Sequence, residues 1–323
     1  MKKFFPKTIF EDRDLLVIDK PGGLVVNRAK SVTNQALQDW FAIRQKDQEF
    51  PAGWSKFLPA DFSDEYGSPG EIYQERQGMV HRLDKDTSGV MVFAKHPGSL
   101  INLLAQFRTR QVSKEYLALV HGRFRVKQGT LTMPLSRSRT DRQKFAVNIA
   151  GRPAVTEYRV EQIFTGFDWL TLESRLGERA AELKQSRRFY EQGFSLVRCL
   201  PKTGRTHQIR VHLTHEQHPI VGDTKYTGRN RARLDPFWCP RQFLHAVSLE
   251  FIHPRTGEKM RFEAELPEDL HSCLEFLINW WIRSTRVFSL GYNSLWNSNT
   301  FHFPVKTSLM WRQHGTTLTS WLF

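Results

Sequence analysis

The sequence predicts an α+β fold with an extended, mixed but largely antiparallel sheet flanked by helices and loops. Segments with strand character dominate the chain. Helical segments separate only some of them, without the strict strand–helix alternation of a parallel α/β fold. The 323 residues, of which 40% are hydrophobic, are enough to bury a sizeable core. We therefore expect a mixed sheet rather than a doubly wound parallel one.

The first third of the chain predicts strands, two helices and a long insertion. β-Branched residues flank the turn Lys20–Gly23, which predicts a strand on each side of it. Residues 46–78 are polar and contain several prolines and glycines, which is typical of an irregular insertion. Periodicity predicts the strand pair in 14–26, a helix in 34–45, a buried strand in 88–95 and a second helix in 99–110.

The rest of the chain predicts mostly strands. A charged, helix-prone patch lies at 177–192, and a strand, a tight turn and the start of a helix follow it in 194–213. Alternating or continuous apolar residues predict further strands in the ranges 114–124, 128–147 (a strand and a basic loop), 154–164, 168–176, 242–254 and 259–267.

The charge balance indicates a polyanionic partner. Lysine and arginine number 47 against 33 acidic residues, which gives a formal net charge of +14. Such a surface attracts nucleic acid over long range. A basic surface can also serve solubility alone, so the placement of the charges has to decide between the two.

Cysteine usage and hydropathy predict a soluble, cytoplasmic protein. The three cysteines, Cys199, Cys239 and Cys273, are too few and too far apart for a disulfide framework or a zinc site. The apolar stretches of the N-terminus are too short for a signal peptide. The uncharged run 276–282 is far shorter than the roughly 20 residues of a transmembrane helix. We expect no membrane contact.

The string HRLDKDTSG, residues 81–89, places two carboxylates in one turn between apolar runs. Asp84 and Asp86 are followed by a threonine and a serine, whose side chains can bond the local backbone. Either aspartate could therefore do no more than stabilise the turn. A carboxylate held this way in a basic protein is also a candidate catalytic group.

The segment KTGRTHQIRVHL, residues 202–213, offers several donors from a tight turn and a helix start. Arginine suits bidentate contacts to carboxylate or phosphate, although a solvated basic helix face would show the same residues. The donors are Arg205, His207, Gln208 and Arg210. The histidines at 207, 212, 215 and 218 lack the carboxylate of a zinc motif, so we expect no metal. In SKEYLALVHG, Tyr116 begins a strand, where a tyrosine is ordinarily a core residue.

Together these segments resemble the RluA-type pseudouridine synthases. HRLDKDTSG is the most specific string, and VIDKPGGLVV is similar to the family's first strand pair. The strings KEYLALVHG, TGRTHQIRVHL, HPIVGD and LHAVSLEFIHP occur in the family's order. The resemblance covers about residues 8–270. It implies the pseudouridine synthase catalytic fold and the isomerisation of a uridine in structured RNA to its C5-glycoside.

The resemblance also implies roles for individual residues. Asp84 matches the family's essential aspartate, Tyr116 its active-site tyrosine, and Arg205 the basic residue that pairs with the aspartate. Arg82 matches an arginine implicated in RNA insertion and base flipping, and Asp86 matches no functional residue. The remaining donors are expected to bind RNA: His207, Gln208 and Arg210.

These residue types suit the implied chemistry. The C1′–N1 bond must break and a C1′–C5 bond must form. An ionised carboxylate can attack C1′ or remove a C2′ proton, and a neighbouring arginine favours the ionised form. Neither route requires a cofactor or a metal.

We expect one catalytic domain, 1–275, with insertions at about 46–78 and 177–192. An aromatic-rich extension of unknown role, 276–323, holds five of the nine tryptophans and no acidic residue. The expected partner is ribosomal or transfer RNA, and the expected state is a monomer. One alternative is a catalytically inactive RNA-binding protein of the same fold. Another is a glycosidase, for which Asp86 is the only nearby second carboxylate.

Overall fold

A long, mostly antiparallel sheet forms the centre of the fold. The computed structural model describes residues 6–28 and 36–279. Its strands are β1 (Lys7–Glu11), β2 (Leu15–Lys20), β3 (Ser88–Ala94), β4 (Ser113–His121), β5 (Gln128–Thr132), β6 (Leu135–Arg137), β7 (Phe145–Val147), β8 (Val155–Phe167), β9 (Phe194–Pro201), β10 (Leu244–Ile252), β11 (Lys259–Glu263) and β12 (Leu277–Asn279). Its helices are α1 (Leu37–Gln45), α2 (Pro69–Arg76), α3 (Pro97–Arg108), α4 (Trp169–Leu176), α5 (Glu178–Gln185), α6 (Gln208–His215), α7 (Arg229–Leu234) and α8 (Glu268–Glu275).

The order of the strands confirms the predicted fold class. The sheet runs β1-β2-β3-β10-β4-β9-β8-β12, with β11 added to β10 and β5 added to β8. β6 and β7 form a separate hairpin. Among the described strands only β3 and β10 pair in parallel, and every other pair is antiparallel. The sheet is therefore mixed and largely antiparallel, with helices packed against it.

The parallel β3–β10 pair brings two functional segments to the middle of the sheet. Gly89 on β3 lies opposite Ala246 on β10, and Ala246 lies opposite Tyr116 on β4. A side chain at Gly89 would meet the Ala246 carbonyl oxygen at 2.1 Å, and its φ of +114° also favours glycine. Because neighbouring strands are about 4.8 Å apart, Tyr116 lies roughly 10 Å across the sheet from Gly89. The turn that carries Asp84 ends at Gly89, so it lies close to Tyr116.

The apolar run of β3 is continuous because both faces of this part of the sheet are covered. Val90 and Val92 pack with Leu100 of α3 on one face. Met91 and Phe93 pack with α1 on the other face, and the Phe93 ring stacks on Phe41 of α1. Side chains alternate between faces along a strand, so each face requires its own apolar set. β2 is buried in the same alternating way.

Most predicted elements are confirmed, and three predictions are wrong. Residues 168–176 form helix α4 rather than a strand. Asp168 caps the helix by accepting from the Thr171 backbone amide (3.4 Å), and it also accepts from the Thr171 hydroxyl (3.0 Å), while Leu172 is buried on the inner face. The second strand predicted at 24–26 does not form. The carbonyls of Val25 and Val26 accept hydrogen bonds from the start of α1 instead.

The third correction concerns the insertion. The range 46–78 contains helix α2, which begins with a capping box between Ser68 and Glu71.

Of the predicted extension, Leu277–Asn279 form β12 on the edge of β8, and residues from 280 onward lie outside the described ranges. Within those ranges no helix is long and apolar enough to cross a membrane.

Lys20 is a buried cation that anchors the turn carrying Asp84. Its ammonium group donates to the carbonyl oxygens of Pro21 (2.8 Å), Leu24 (3.0 Å) and Lys85 (2.9 Å). Its side chain is fully buried. Burial lowers the pKa of Lys20 to about 7, with a smaller contribution from the positive charge of Arg241.

Lys20→Met should remove a pH dependence of stability. In the wild type the pKa of Lys20 rises from about 7 in the folded state to about 10.5 on unfolding, so unfolding takes up a proton between these values. The free energy of unfolding of the wild type should therefore rise relative to the variant across this window, by up to about 1.4 kcal/mol per pH unit. Urea denaturation of both proteins at a series of pH values measures this. A difference that does not change with pH would contradict the shifted pKa.

Candidate active site

Asp84 lies at the mouth of a cavity of about 140 Å³ in the middle of the sheet. Its turn is closed by a hydrogen bond from the Thr87 amide to the Asp84 carbonyl oxygen (3.2 Å), and its side chain is 21% exposed. Tyr116 and His207 line the same cavity. The predicted carboxylate and the predicted tyrosine therefore share one pocket.

Arg210, not Arg205, pairs with Asp84. The Arg210 Nη1 donates to Asp84 Oδ2 at 2.7 Å. Its Nε and Nη2 donate to the two carboxylate oxygens of Asp223 at 2.7 and 2.9 Å. The guanidinium also lies 4.9 Å from the centre of the Tyr226 ring. This one buried side chain thus connects the turn of Asp84 to a second, buried carboxylate.

The predicted pairing of Arg205 with Asp84 is wrong because Arg205 precedes helix α6. It lies in the turn that leads to the helix, lines the cavity, and donates its Nε to the Pro153 carbonyl oxygen at 3.2 Å. Arg210 lies on the first turns of α6, on the face buried against the site. The prediction that Arg210 binds RNA is corrected by the same geometry, since its donors are directed to two carboxylates of the chain.

The ion pair keeps Arg210 charged and divides the two oxygens of Asp84 between different environments. Burial alone would lower the pKa of Arg210, but the hydrogen bonds and charges of Asp223 and Asp84 raise it above its ordinary value. Oδ2 of Asp84 accepts from Arg210. Oδ1 has no hydrogen-bond partner among the described residues and is the oxygen available to a ligand.

Tyr116 is half-buried beside this carboxylate. Burial raises its pKa, and the negative charge of Asp84 raises it further. The phenol therefore remains protonated at neutral pH. It can offer its hydroxyl or its ring face to a molecule in the cavity.

His207 begins α6 in a left-handed backbone conformation with φ of 56°. Its Nδ1 lies 2.7 Å from the Tyr226 hydroxyl, and its Nε2 lies 3.8 Å from Asp84 Oδ2. Burial lowers the pKa of His207 to about 4, against the opposing effect of Asp84. The imidazole is therefore neutral near pH 7.

Gln208 is a structural residue, which corrects its predicted contact with RNA. It is 4% exposed, and its amide oxygen accepts from the Thr203 hydroxyl (2.7 Å) and the Arg205 amide (3.0 Å). Its amide nitrogen donates to the Val155 carbonyl oxygen and the Thr156 hydroxyl, both at 2.9 Å. These four bonds fix the start of α6 against β8, and they leave no donor for a ligand.

A basic groove opens beside the cavity. It has a volume of about 540 Å³, and its lining includes no acidic residue. Lys114 is half-buried in the groove, and burial lowers the pKa of Lys114 to about 8. No carboxylate of the described chain lies within ion-pair distance of it. The cations lining the groove are Arg82, Arg108, Arg110, Lys114, Lys202 and Arg205.

Arg82 occupies the junction of three openings. It is exposed and lines the small cavity, the basic groove, and a third cavity of about 700 Å³ on the other side of Asp84. The position is compatible with the predicted insertion of Arg82 into RNA, which remains a prediction.

One group of potential metal ligands lies elsewhere in the described chain. It consists of Asp12, Asp14 and His253. Asp14 already accepts two hydrogen bonds from Arg255, both at 2.6 Å, and Asp12 accepts one from His253 at 2.9 Å. A metal cation at this place would compete with the Arg255 guanidinium. The ion pairs within the protein therefore account for why these three side chains lie together.

Three residues of the site have no predicted role. Lys114 lies inside the string KEYLALVHG and Asp223 inside HPIVGD. The resemblance covers both strings but implies no role for either residue. Tyr226 follows shortly after HPIVGD and has no motif of its own. The contacts of its hydroxyl with His207 and of its ring with the Arg210 guanidinium identify it.

A family model described as RNA pseudouridylate synthase matches residues 14–215, which include Asp84, Tyr116 and Arg210. Among curated proteins, an uncharacterized RNA pseudouridine synthase of Bacillus subtilis is 35% identical over 268 residues, covering 83% of this chain and 71% of the relative. The ribosomal large subunit pseudouridine synthase D of Pseudomonas aeruginosa is 36% identical over 279 residues, with coverage of 83% and 71%. The ribosomal large subunit pseudouridine synthase D of Xanthomonas campestris is also 36% identical, and the match covers 83% of this chain and 68% of the relative.

Solved structures of the same fold are similar over most of the chain. Human RNA pseudouridylate synthase domain containing 1 superimposes with a TM-score of 0.56 at 22% identity, covering 87% of this chain and 95% of that chain. Human RNA pseudouridylate synthase domain containing 4 superimposes with a TM-score of 0.54 at 23% identity, covering 83% of this chain and 92% of that chain. At this identity the likeness supports the fold alone.

Proposed function

The chain belongs to the RNA pseudouridylate synthase family, and from this premise we propose that it isomerises uridine in large-subunit ribosomal RNA with Asp84 as the essential carboxylate. It is an RNA pseudouridine synthase, and such enzymes are isomerases. The observation that carries the proposed role of Asp84 is the division of its carboxylate. Oδ2 is held by a buried arginine, while Oδ1 accepts no hydrogen bond from a described residue, and Asp84 lines a cavity together with a tyrosine.

The reaction needs no redox partner. The C1′–N1 bond breaks, a C1′–C5 bond forms, and the proton that leaves C5 is balanced by the proton that N1 gains. The free Oδ1 of Asp84 can attack C1′, or it can remove the C2′ proton and give a glycal. Both routes require an ionised carboxylate close to phosphates, and the Arg210 guanidinium, which donates to Oδ2, places a positive charge beside it.

The neighbouring residues suit a flipped nucleotide. Extruding a base from a stack costs a few kcal/mol. The ring of Tyr116 can recover part of this by stacking on the uracil. The exposed Arg82 at the junction of the cavities can fill the space that the base leaves. Arg205, in the wall of both the cavity and the basic groove, would contact the RNA rather than the catalytic carboxylate.

The choice of ribosomal RNA rests on the relatives. Proteins at 36% identity are named for the large ribosomal subunit, and the formal charge of +14 suits a large RNA. We further propose that the enzyme acts in the cytoplasm as a monomer without metal or cofactor. The isomerisation balances without them, and Cys199, Cys239 and Cys273 are buried free thiols.

The purified chain should convert uridine in large-subunit ribosomal RNA transcribed in vitro, which contains no pseudouridine. Carbodiimide modification followed by primer extension locates the product, and a pool of transfer RNA transcripts tests the other predicted substrate. Conversion confined to transfer RNA would overturn the choice of substrate. Binding to both RNAs with conversion of neither would favour an inactive RNA-binding protein.

Lys114→Met should weaken RNA binding and reduce its salt dependence. Lys114 is a cation with no carboxylate partner in the described chain, in a groove with no acidic lining residue. We expect it to pair with a phosphate next to the target nucleotide. Losing one such contact should reduce the slope of log Kd against log salt by about 0.7 for a single strand. Filter binding at several salt concentrations measures the slope.

Lys259→Met is the matched control for this charge change. Lys259 is exposed on β11, pairs with Glu250 at 2.8 Å, and does not line the groove. Its replacement should leave the slope unchanged. Equal slopes for wild type and Lys114→Met would exclude a phosphate contact at Lys114.

A further inference from the structure

We propose that His207 is a positioning residue, whose neutral imidazole presents its Nε2–H to Oδ2 of Asp84 in the tautomer that the Tyr226 hydroxyl selects. The inference rests on the proposed role of Asp84 and extends it. Neither His207 nor Tyr226 would touch the reacting atoms. Both would act by holding the carboxylate.

The contacts of Tyr226 and the facing carboxylate of Asp84 favour the same tautomer of His207. Its hydroxyl oxygen accepts from the backbone N–H of Phe145 at 2.9 Å. The hydroxyl proton is then free to be donated to His207 Nδ1 at 2.7 Å. A neutral imidazole that accepts at Nδ1 carries its proton on Nε2. This is the nitrogen that faces Asp84 Oδ2 at 3.8 Å.

The neutral state of the imidazole matters for the carboxylate. A protonated histidine would add a second full positive charge beside Arg210 and would make Asp84 a weaker nucleophile or base. A neutral N–H donor orients the carboxylate without neutralising it. Burial keeps the pKa of His207 low, at about 4, which agrees with this role.

The separation of 3.8 Å is too long for a hydrogen bond in the free protein. Catalytic hydrogen bonds are often long before the substrate binds and shorten in the complex. Arg210 and His207 both approach Oδ2, so a shorter contact would hold the carboxylate from two sides. Oδ1 would remain directed at the sugar.

The backbone conformation of His207 indicates that the surrounding structure holds this residue in a defined position. Its φ of 56° lies in the left-handed region, which a residue with a side chain adopts at a cost. The adjacent Gln208 fixes this point through bonds to Thr203 and Val155. Strained backbone held by its surroundings is common at active sites.

The test is a double-mutant cycle of His207→Gly and Tyr226→Phe on the large-subunit RNA transcript. Glycine accepts the left-handed backbone, and phenylalanine keeps the ring beneath Arg210. We expect His207→Gly to lower kcat roughly 10- to 100-fold and Tyr226→Phe roughly 3- to 10-fold, with KM within about twofold of the wild type. The double variant should be no slower than His207→Gly, because Tyr226 acts through His207.

Three results that involve His207→Gly would overturn the inference. They are a wild-type kcat for His207→Gly, additive losses in the double variant, and a rise in KM that accounts for the whole loss. If His207→Gly does not fold, Tyr226→Phe decides alone, since a folded Tyr226→Phe with wild-type kcat also overturns it. Asp84→Asn is assayed alongside. Wild-type activity in that variant would overturn the role of Asp84 itself. An inactive Asp84→Asn with a fully active His207→Gly would overturn only the positioning role.

Discussion

Asp84→Asn should abolish pseudouridine formation while leaving the fold and the affinity for RNA nearly unchanged. An amide cannot attack C1′ or remove a C2′ proton, so we expect a loss of roughly 10³-fold or more in kcat. The amide oxygen has the shape of the lost carboxylate oxygen and can still accept from Arg210. Arg210 also keeps both of its hydrogen bonds to Asp223, so its buried charge remains compensated.

Asp86→Asn is the matched control for this change. Asp86 lies two residues away in the same turn, and the substitution is chemically identical. Its backbone carbonyl accepts from Arg241 at 2.8 Å, and its carboxylate makes no hydrogen bond with any described residue. We expect activity within about twofold of the wild type. Pseudouridine is counted after equal incubation of each variant with the same transcript. A residual activity of Asp84→Asn within tenfold of the wild type, or an equal loss in Asp86→Asn, would refute the assignment.

The sequence could predict the carboxylate but not its partner. The string HRLDKDTSG is specific, and the buried strand β3 that directly follows the turn fixes its place in the sheet. Arg205 and Arg210 are both arginines in one short segment, and either could reach a carboxylate. Which one does depends on how α6 docks on β8, and the buried amide of Gln208 sets that docking. A contact between distant segments of this kind leaves no local pattern.

Local patterns also failed where capping decided the structure. The apolar residues of 168–176 predict a strand, but the Asp168 side chain accepts from Thr171 and starts a helix. An aspartate three residues before a threonine was the available clue. Lys20 is a comparable case, since the sequence predicts it in a turn and it is the last residue of β2. A lysine there suggests an exposed position, and its burial follows only from three carbonyl groups that converge on its ammonium group.

Arg210→Met should both unfold the protein more easily and inactivate it. The substitution leaves Asp223 buried, at 2% exposure, without its cation. Removing one partner of a buried ion pair typically costs about 3–5 kcal/mol. It also releases Oδ2 of Asp84, so the carboxylate loses both its orientation and the positive charge beside it. We expect a lower urea midpoint and a loss of pseudouridine formation in the protein that remains folded.

A second substitution separates these two effects. Arg210→Met combined with Asp223→Asn removes the unpaired buried charge and should recover part of the lost stability, whereas activity should stay low because Asp84 remains without its partner. Arg205→Ala is the control, because the Arg205 side chain makes a single hydrogen bond, to the Pro153 carbonyl oxygen. Its unfolding free energy should be within about 0.5 kcal/mol of the wild type. If Arg205→Ala were as destabilising as Arg210→Met, the buried network of Arg210 with Asp84 and Asp223 would not be what holds this part of the fold. If the double variant regained activity together with stability, Arg210 would serve the fold alone and not the carboxylate.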